Sequence, residues 1–186
     1  MNFYLDFVKG YPFLSAIIQF AILGTIGEVV ATRISGRGKL RGMELLSKTF
    51  IWAFLAIPIK IAFIGFEGFV AALILHGLLP ESAASGFLNA LSRSVSMNLQ
   101  FGPFLVILHR ALDNLFTGKS NWANLDKSLY SLLWFWIPAH ALTFSLPREY
   151  QIGMAALWSF SLGLILSYFA KSRKEKGSEK DVRSSI

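Results

Sequence analysis

Cysteine is absent from this chain of 186 residues, and charged residues make up only 16% of it. Without thiols, neither a disulfide framework nor a thiolate metal site can form. A water-soluble domain carries charge on about a quarter of its residues, so this chain has too little charge to coat a surface that faces water. Hydrophobic residues reach 54%. This balance indicates lipid as the solvent and argues against a soluble enzyme.

Catalytic motifs are also missing from the sequence. The histidines His76, His109 and His140 are far apart and form no H-E-x-x-H pair. No G-x-S-x-G nucleophile elbow occurs. We therefore predict no catalytic residue, no metal site and no cofactor. An intramembrane enzyme assembled from residues that converge in space is a minor alternative.

Five apolar stretches organise the chain. Each approaches the roughly 17–25 residues that cross the hydrocarbon core of a bilayer as a helix, and none alternates as a strand does. They cover residues 13–31, 50–75, 87–112, 129–146 and 150–170. The fold class predicted is all-α, a polytopic transmembrane helix bundle of four to five spans over residues 1–170. Residues 171–186 are predicted to form a basic, disordered cytosolic tail.

The basic residues support five crossings. Positive charge accumulates on the cytoplasmic side of membrane proteins, and with five spans fourteen of the 18 Lys and Arg residues fall on one side. Those fourteen are Arg33, Arg37, Lys39, Arg41, Lys48, Arg110, Lys119, Lys127, Lys171, Arg173, Lys174, Lys176, Lys180 and Arg183. This pattern places the N-terminus outside and the tail inside. The net charge of +7 then suits membrane lipids as partners rather than nucleic acid.

Three charged residues lie within the first two spans. Glu28 is near the inner end of span one, and Lys60 and Glu67 share one face of span two. A charge at mid-bilayer costs about 2.5–3.5 kcal/mol or more, so these side chains are expected to face the bundle interior. They predict either a polar pathway, with Glu28 or Glu67 near Lys60, or else a structural ion pair, or a Lys60 that snorkels to the interface.

Span three carries a polar stripe. Ser85, Asn89, Ser92, Ser96 and Gln100 recur every three or four residues, with Arg93 and Asn98 to either side. Such a stripe is typical of a helix that lines a water-filled lumen. The alternatives are interhelical hydrogen bonding and a helix that emerges early from the bilayer.

Small residues and prolines mark other features of the spans. Gly27, Ala31 and Ser35, and likewise Ala155, Ser159, Gly163 and Ser167, are spaced four apart. Small-xxx-small faces predict close helix packing, within the bundle or in a homo-oligomer. Pro58, Pro103 and Pro138 predict bends, and Tyr130, Trp134, Trp136 and Tyr150 predict anchoring at the membrane interface.

The C-terminal third carries a more specific pattern of aromatic residues and prolines. It comprises Trp136, Pro138, Phe144, Pro147, Tyr150 and Trp158, and Gly27 with Glu28 stands earlier. This pattern resembles the signature of the Mpv-seventeen and peroxisomal-membrane-protein family of small membrane proteins. Relatives usually have Gly-Asp where this chain has Gly27-Glu28, and an acidic residue where it has Met97.

The resemblance implies a channel-like protein of the mitochondrial inner or peroxisomal membrane, although the residues fit a bacterial cytoplasmic membrane equally well. We therefore predict a membrane channel or pore for small solutes or ions. Its lining or gating residues are predicted to be Glu28, Lys60, Glu67, Arg93, Asn98 and Gln100. The alternative is a non-conducting membrane scaffold that binds lipid or protein partners.

Overall fold

The computed structural model describes residues 3–36, 38–40, 42–118 and 120–184, with side chains for all of these except 166 and 169–184. Helices dominate, and the described residues contain no strand, which confirms the all-α fold class. The helices are α1 (Phe3–Gly10), α2 (Pro12–Ile34), α3 (Met43–Leu75), α4 (Gly86–Thr117), α5 (Leu125–Ser131), α6 (Ile137–Phe144) and α7 (Arg148–Ser184). A 3-10 turn, Glu81–Ala84, precedes α4, and a π-helical segment, Leu132–Trp136, joins α5 to α6.

Local sequence explains where these helices begin and end. Pro12 occupies the first turn of α2, where a missing N–H leaves no intrahelical bond unmade. Gly118 ends α4 because its left-handed conformation, with φ of 64°, lets its N–H bond to the Asn114 carbonyl. Four of the five predicted apolar stretches lie within single helices. The stretch 129–146 lies largely within a continuous unit formed by α5, the π-helical segment and α6, which we call the α5–π–α6 unit.

Five helical units form a closed ring. α2 packs against both α3 and α7, α3 packs against α4, α4 packs against α6, and α6 returns to α7. The core at the centre of these contacts contains Phe20, Ile51, Leu55 and Ala156, each at most 1% exposed. A ring of this kind surrounds an interior that all five units line.

The small-residue faces of α2 and α7 meet each other inside the ring. A Cβ on Gly27 would lie 3.1 Å from the Phe160 Cα, and one on Gly163 would lie 3.7 Å from the Gly27 carbonyl oxygen. Larger side chains would separate the two backbones. The spacing of four seen in both segments is therefore a packing face between α2 and α7.

α2 and α3 are long and apolar enough to cross a membrane. Only 28% and 33% of their most apolar windows are buried, so most of that surface points away from the ring. The outward residues of α2 include Leu14, Ile18, Ile22 and Ile26, spaced four apart. This spacing forms a continuous apolar stripe along the helix.

Pro138 follows a widened turn rather than a simple bend. The π segment Leu132–Trp136 ends two residues before it, as expected where the proline ring cannot sit against the preceding turn. The backbone of α7 runs on to Ser184. This helical backbone overlaps the segment 171–186, for which the sequence predicts a basic, disordered cytosolic tail. That tail stays a prediction.

Candidate functional site

A cavity of about 270 Å³ lies inside the helix ring. Its wall is mostly apolar and rich in rings, with Phe20, Trp52, Phe101 and Trp136 among its lining residues. Its charged or imidazole-bearing residues at one end are Glu28, near the C-terminal end of α2, and His109 and Arg110, near the C-terminal end of α4. Asn98 and His140 line the cavity further along the ring interior, and Ser128, Ser131 and Ser159 add hydroxyl groups. The cavity is therefore an apolar chamber with a polar end and a polar middle.

The polar end is held by an ion cluster from three helices, which we call the Lys48 cluster: Glu28, Lys48, His109 and Asp113. Lys48 Nζ lies 2.7 Å from both carboxylate oxygens of Asp113 and 3.5 Å from Glu28 Oε2. His109 Nε2 lies 3.9 Å from Glu28 Oε1, too far for a hydrogen bond. One ammonium thus serves two carboxylates, and the cluster ties α2, α3 and α4 together.

The polar middle is built around Asn98. Its amide Nδ2 donates to the Ser94 carbonyl at 2.8 Å and lies 3.1 Å from His140 Nδ1. Ser94 Oγ donates to the Ile137 carbonyl at 2.7 Å. The polar side chains of α4 thus bond to the backbone and ring next to the π segment, which fixes α6 against α4.

A second group, the Arg93 cluster of Glu67, Arg93 and Arg148, lies towards the opposite end of the helix ring, and none of its three residues lines the cavity. Arg93 is only 7% exposed. Its Nη2 lies 3.4 Å from Glu67 Oε2, and its Cζ lies 4.3 Å from the centre of the Phe144 ring. Arg148 pairs with the other Glu67 oxygen. The guanidinium is therefore held between a carboxylate and an aromatic face, which is a cation–π arrangement.

α1 is fastened to the first turn of α7, outside the predicted spans. Tyr4 Oη donates to the Glu149 carbonyl at 3.2 Å, and Lys9 Nζ lies 3.3 Å from Glu149 Oε1. Burial, and secondarily the neighbouring Tyr150, raises the pKa of the Tyr4 phenol above its ordinary value. A hydrogen bond from its own backbone, followed by one from Lys9, lowers the pKa of the Glu149 carboxyl. Both groups thus keep the protonation states that this contact needs.

The predicted site residues divide between these places. Glu28 and Asn98 line the cavity, and Arg93 and Glu67 form the far cluster. Gln100 is exposed and borders an outer groove beside Pro58 and Phe66. The predicted neighbours of Lys60 are wrong, because Glu28 and Glu67 pair with Lys48 and Arg93, and the described residues offer Lys60 no ion pair.

The polar stripe predicted on α4 is also displaced. Its inward face carries Ala90, Arg93, Ser94, Asn98 and Gly102 rather than the Ser85–Gln100 series. Close packing explains the shift, since a Cβ on Gly102 would come within 2.9 Å of the Leu132 side chain. The size of the side chains on α4, as well as their polarity, therefore determines which face of α4 packs against α6.

The residues of the family pattern have structural roles around the same interior. Trp136 stacks on His140 with ring centres 5.0 Å apart and lines the cavity, and its role as an interface anchor stays a prediction. Trp158 Nε1 donates to Thr143 Oγ1 at 3.1 Å. Pro147 precedes α7, and its carbonyl accepts a hydrogen bond from the Tyr150 N–H. The Arg93 guanidinium lies over the Phe144 ring.

Sequence reasoning missed Lys48, His109, Asp113 and Arg110 as site residues. Lys48 lies outside the predicted apolar stretch 50–75, yet it belongs to α3. The i, i+4 spacing of His109 and Asp113 was the available signal, because it places both on one face of a helix.

Comparison of this chain with protein-family models, curated proteins and solved structures gave no match.

Proposed function

We propose that this chain is an integral membrane protein whose five helical units all cross the bilayer. The outward stripes support this proposal. On α3, Phe50, Phe54, Ile57, Ile61 and Ile64 are each at least 38% exposed. In water an exposed apolar face of this length would drive association, whereas in lipid it is the expected outer surface.

The α5–π–α6 unit is the fifth crossing in this proposal. It runs without a break from Leu125 to Phe144, which is about 30 Å at 1.5 Å per residue and matches the hydrocarbon core. The charge distribution then puts the Lys48 cluster near the cytoplasmic side and the Arg93 cluster near the opposite side.

We propose further that the ring interior is a passage for small solutes or ions. One observation carries this: a closed ring of five helices encloses a cavity with the Lys48 cluster at one end, and the Arg93 cluster lies beyond the cavity towards the opposite end of the ring. Glu28 and His109 stand at one end, Asn98 and His140 in the middle, and Arg93 at the other end. Charges at constrictions of this kind select permeants by sign.

The Arg93 cluster is the proposed selectivity element. Two guanidinium groups and one carboxylate leave an excess of positive charge there. We expect the purified protein in planar bilayers to prefer chloride to potassium, because cationic rings favour anions. In a potassium chloride gradient, Arg93→Gln should shift the reversal potential towards the potassium equilibrium potential.

Lys9→Gln is the matched control for this experiment, since Lys9 is an exposed cation at the same end of the bundle. It should leave the reversal potential unchanged. Bilayers that stay silent in several lipids and at several voltages would contradict the passage and favour the non-conducting scaffold. An unchanged reversal potential in folded Arg93→Gln would remove Arg93 from the passage.

Membership of the family that the C-terminal pattern resembles is part of the same proposal. The places of Trp136 and Phe144 support it, because Trp136 lines the cavity and Phe144 is buried in the core against Arg93. The family would place the protein in a mitochondrial inner or peroxisomal membrane. Membrane lipids are its expected partners, and a homo-oligomer is compatible with the outward faces.

A further inference from the structure

The polar end of the cavity has hydrogen-bond donors without a partner. Trp52 Nε1 is buried and has no hydrogen-bond partner. Arg110 also lines this end, and among the described residues no ion pair or hydrogen bond involves it. His109 Nε2 is not counted with them, because Glu28 Oε1 lies 3.9 Å from it. The Trp52 N–H and the Arg110 guanidinium are therefore available to an acceptor, and a guanidinium favours an oxyanion that it can bind with two parallel bonds.

The acceptors nearby form no hydrogen bond with these donors. Glu28 is the only carboxylate that lines the cavity among the described residues, and its Oε2 lies 3.5 Å from Lys48 Nζ. Ser131 and Ser159 donate their hydroxyl protons to carbonyls of their own helices, at 2.6 and 3.2 Å, and their oxygens remain able to accept. Among the described residues, neither Glu28 nor these hydroxyl oxygens accepts a hydrogen bond from Trp52 Nε1 or Arg110.

The remainder of the wall requires an apolar body on the ligand. Phe20, Leu55, Ile59, Met97, Phe101 and Leu105 line the chamber next to the polar end. A small hydrated anion such as phosphate would leave this surface unmatched. The volume of about 270 Å³ lies just below the roughly 300–1,000 Å³ of typical ligand pockets, so the ligand must be small.

We propose that the cavity binds a small amphipathic monocarboxylate. Its carboxylate lies at Arg110 and Trp52 Nε1, and its hydrocarbon chain lies among the aromatic and aliphatic residues of the chamber. The inference names the solute class for the proposed passage and rests on that proposal for its role in transport. The binding site itself depends only on the cavity and its free donors.

Octanoate is the probe for this site. We expect the full chain in lipid nanodiscs to bind it saturably with one-to-one stoichiometry by titration calorimetry, after subtraction of the heat from nanodiscs without protein. Octanol and octylamine have the same chain without the anion, so they should bind at least about tenfold more weakly, as the loss of charge-assisted hydrogen bonds predicts. Dodecanoate should bind more weakly than octanoate, because the chamber limits chain length.

Variants assign the headgroup contact. Arg110→Gln should weaken octanoate binding about tenfold or more, and Trp52→Phe, which keeps the ring and removes the N–H, should weaken it several-fold. Arg33→Gln is the matched control because Arg33 is an exposed arginine at the same end of the bundle, and it should have no effect. If Arg110→Gln fails to fold, Trp52→Phe still tests the site.

The inference is overturned if octanoate does not bind saturably, if octylamine binds as tightly, or if folded Arg110→Gln and Trp52→Phe bind octanoate as the original chain does. Binding does not depend on conduction, so the two proposals can fail separately. Saturable octanoate binding with silent bilayers would keep the site and remove the passage. Conductance without octanoate binding would keep the passage and remove the site.

Discussion

Replacing Lys48 with methionine is expected to destabilise the helix bundle by about 2–3 kcal/mol. Its ammonium lies 2.7 Å from both oxygens of Asp113 and 3.5 Å from Glu28, and its side chain is only 14% exposed. The substitution keeps most of the side-chain volume but leaves two carboxylates unpaired. Removing one partner of a fully buried pair costs about 3–5 kcal/mol. Glu28 and Asp113 retain 24% and 22% exposure, so solvent lowers that figure.

The measurement is the unfolding free energy in mixed micelles, by titration with a denaturing detergent. Adding Glu28→Gln and Asp113→Asn to the Lys48→Met variant should recover most of the lost stability, because no unpaired charge then remains. Lys127→Met is the matched control, since Lys127 is exposed at the same end of the bundle, and its effect should stay within about 0.5 kcal/mol. Equal losses from Lys48→Met and Lys127→Met would show that the cluster does not hold the three helices.

Gly27→Leu is expected to lower the free energy of unfolding by about 3 kcal/mol, because it disrupts packing rather than charge pairing. A Cβ at this position already lies 3.1 Å from the Phe160 Cα, a backbone atom that cannot rotate away. The larger side chain must push α7 away from α2 and open the ring at that seam. The Phe160 side chain is also near, at 3.6 Å, but moving it would leave the contact with the Phe160 Cα in place.

Gly68→Leu is the control for this substitution. Gly68 is also inside a helix, but no heavy atom lies within 4 Å of the Cβ that would be added. The exchange should be neutral or stabilising by up to about 1 kcal/mol, because glycine is a poor helix former. Detergent-induced unfolding of both variants decides the matter. Similar unfolding free energies for Gly27→Leu and Gly68→Leu would mean that α2 and α7 do not pack closely.

The helices could be predicted from the sequence because their signal is local. The stretch 13–31 matches α2 (Pro12–Ile34), and the stretch 50–75 lies within α3 (Met43–Leu75). α3 begins well before its apolar stretch because Lys48 and its neighbours are polar residues that continue the helix. Hydropathy detects the apolar part of a helix and misses a polar first turn or two.

The site was less predictable because its contacts join distant parts of the chain. Lys48 and Asp113 are 65 residues apart, and no local pattern pairs them. Glu67 was expected near Lys60, seven residues away on one face, yet Arg93 and Arg148 pair with it from other helices. A sequence identifies which residues are costly to leave in lipid, but the order of helices around the ring decides which charges meet.

The central claim is that the outward faces of the ring meet lipid while its interior is open to small molecules. Because the chain has no cysteine, single cysteines can report on each surface. In liposomes, Ser159→Cys, which lines the cavity, should react with a small charged thiol reagent about tenfold or more faster than Ile61→Cys, since a thiol facing lipid rarely ionises. Ile61 is 56% exposed on the outside of α3. Rapid labelling at Ile61→Cys with protection at Ser159→Cys would contradict the account.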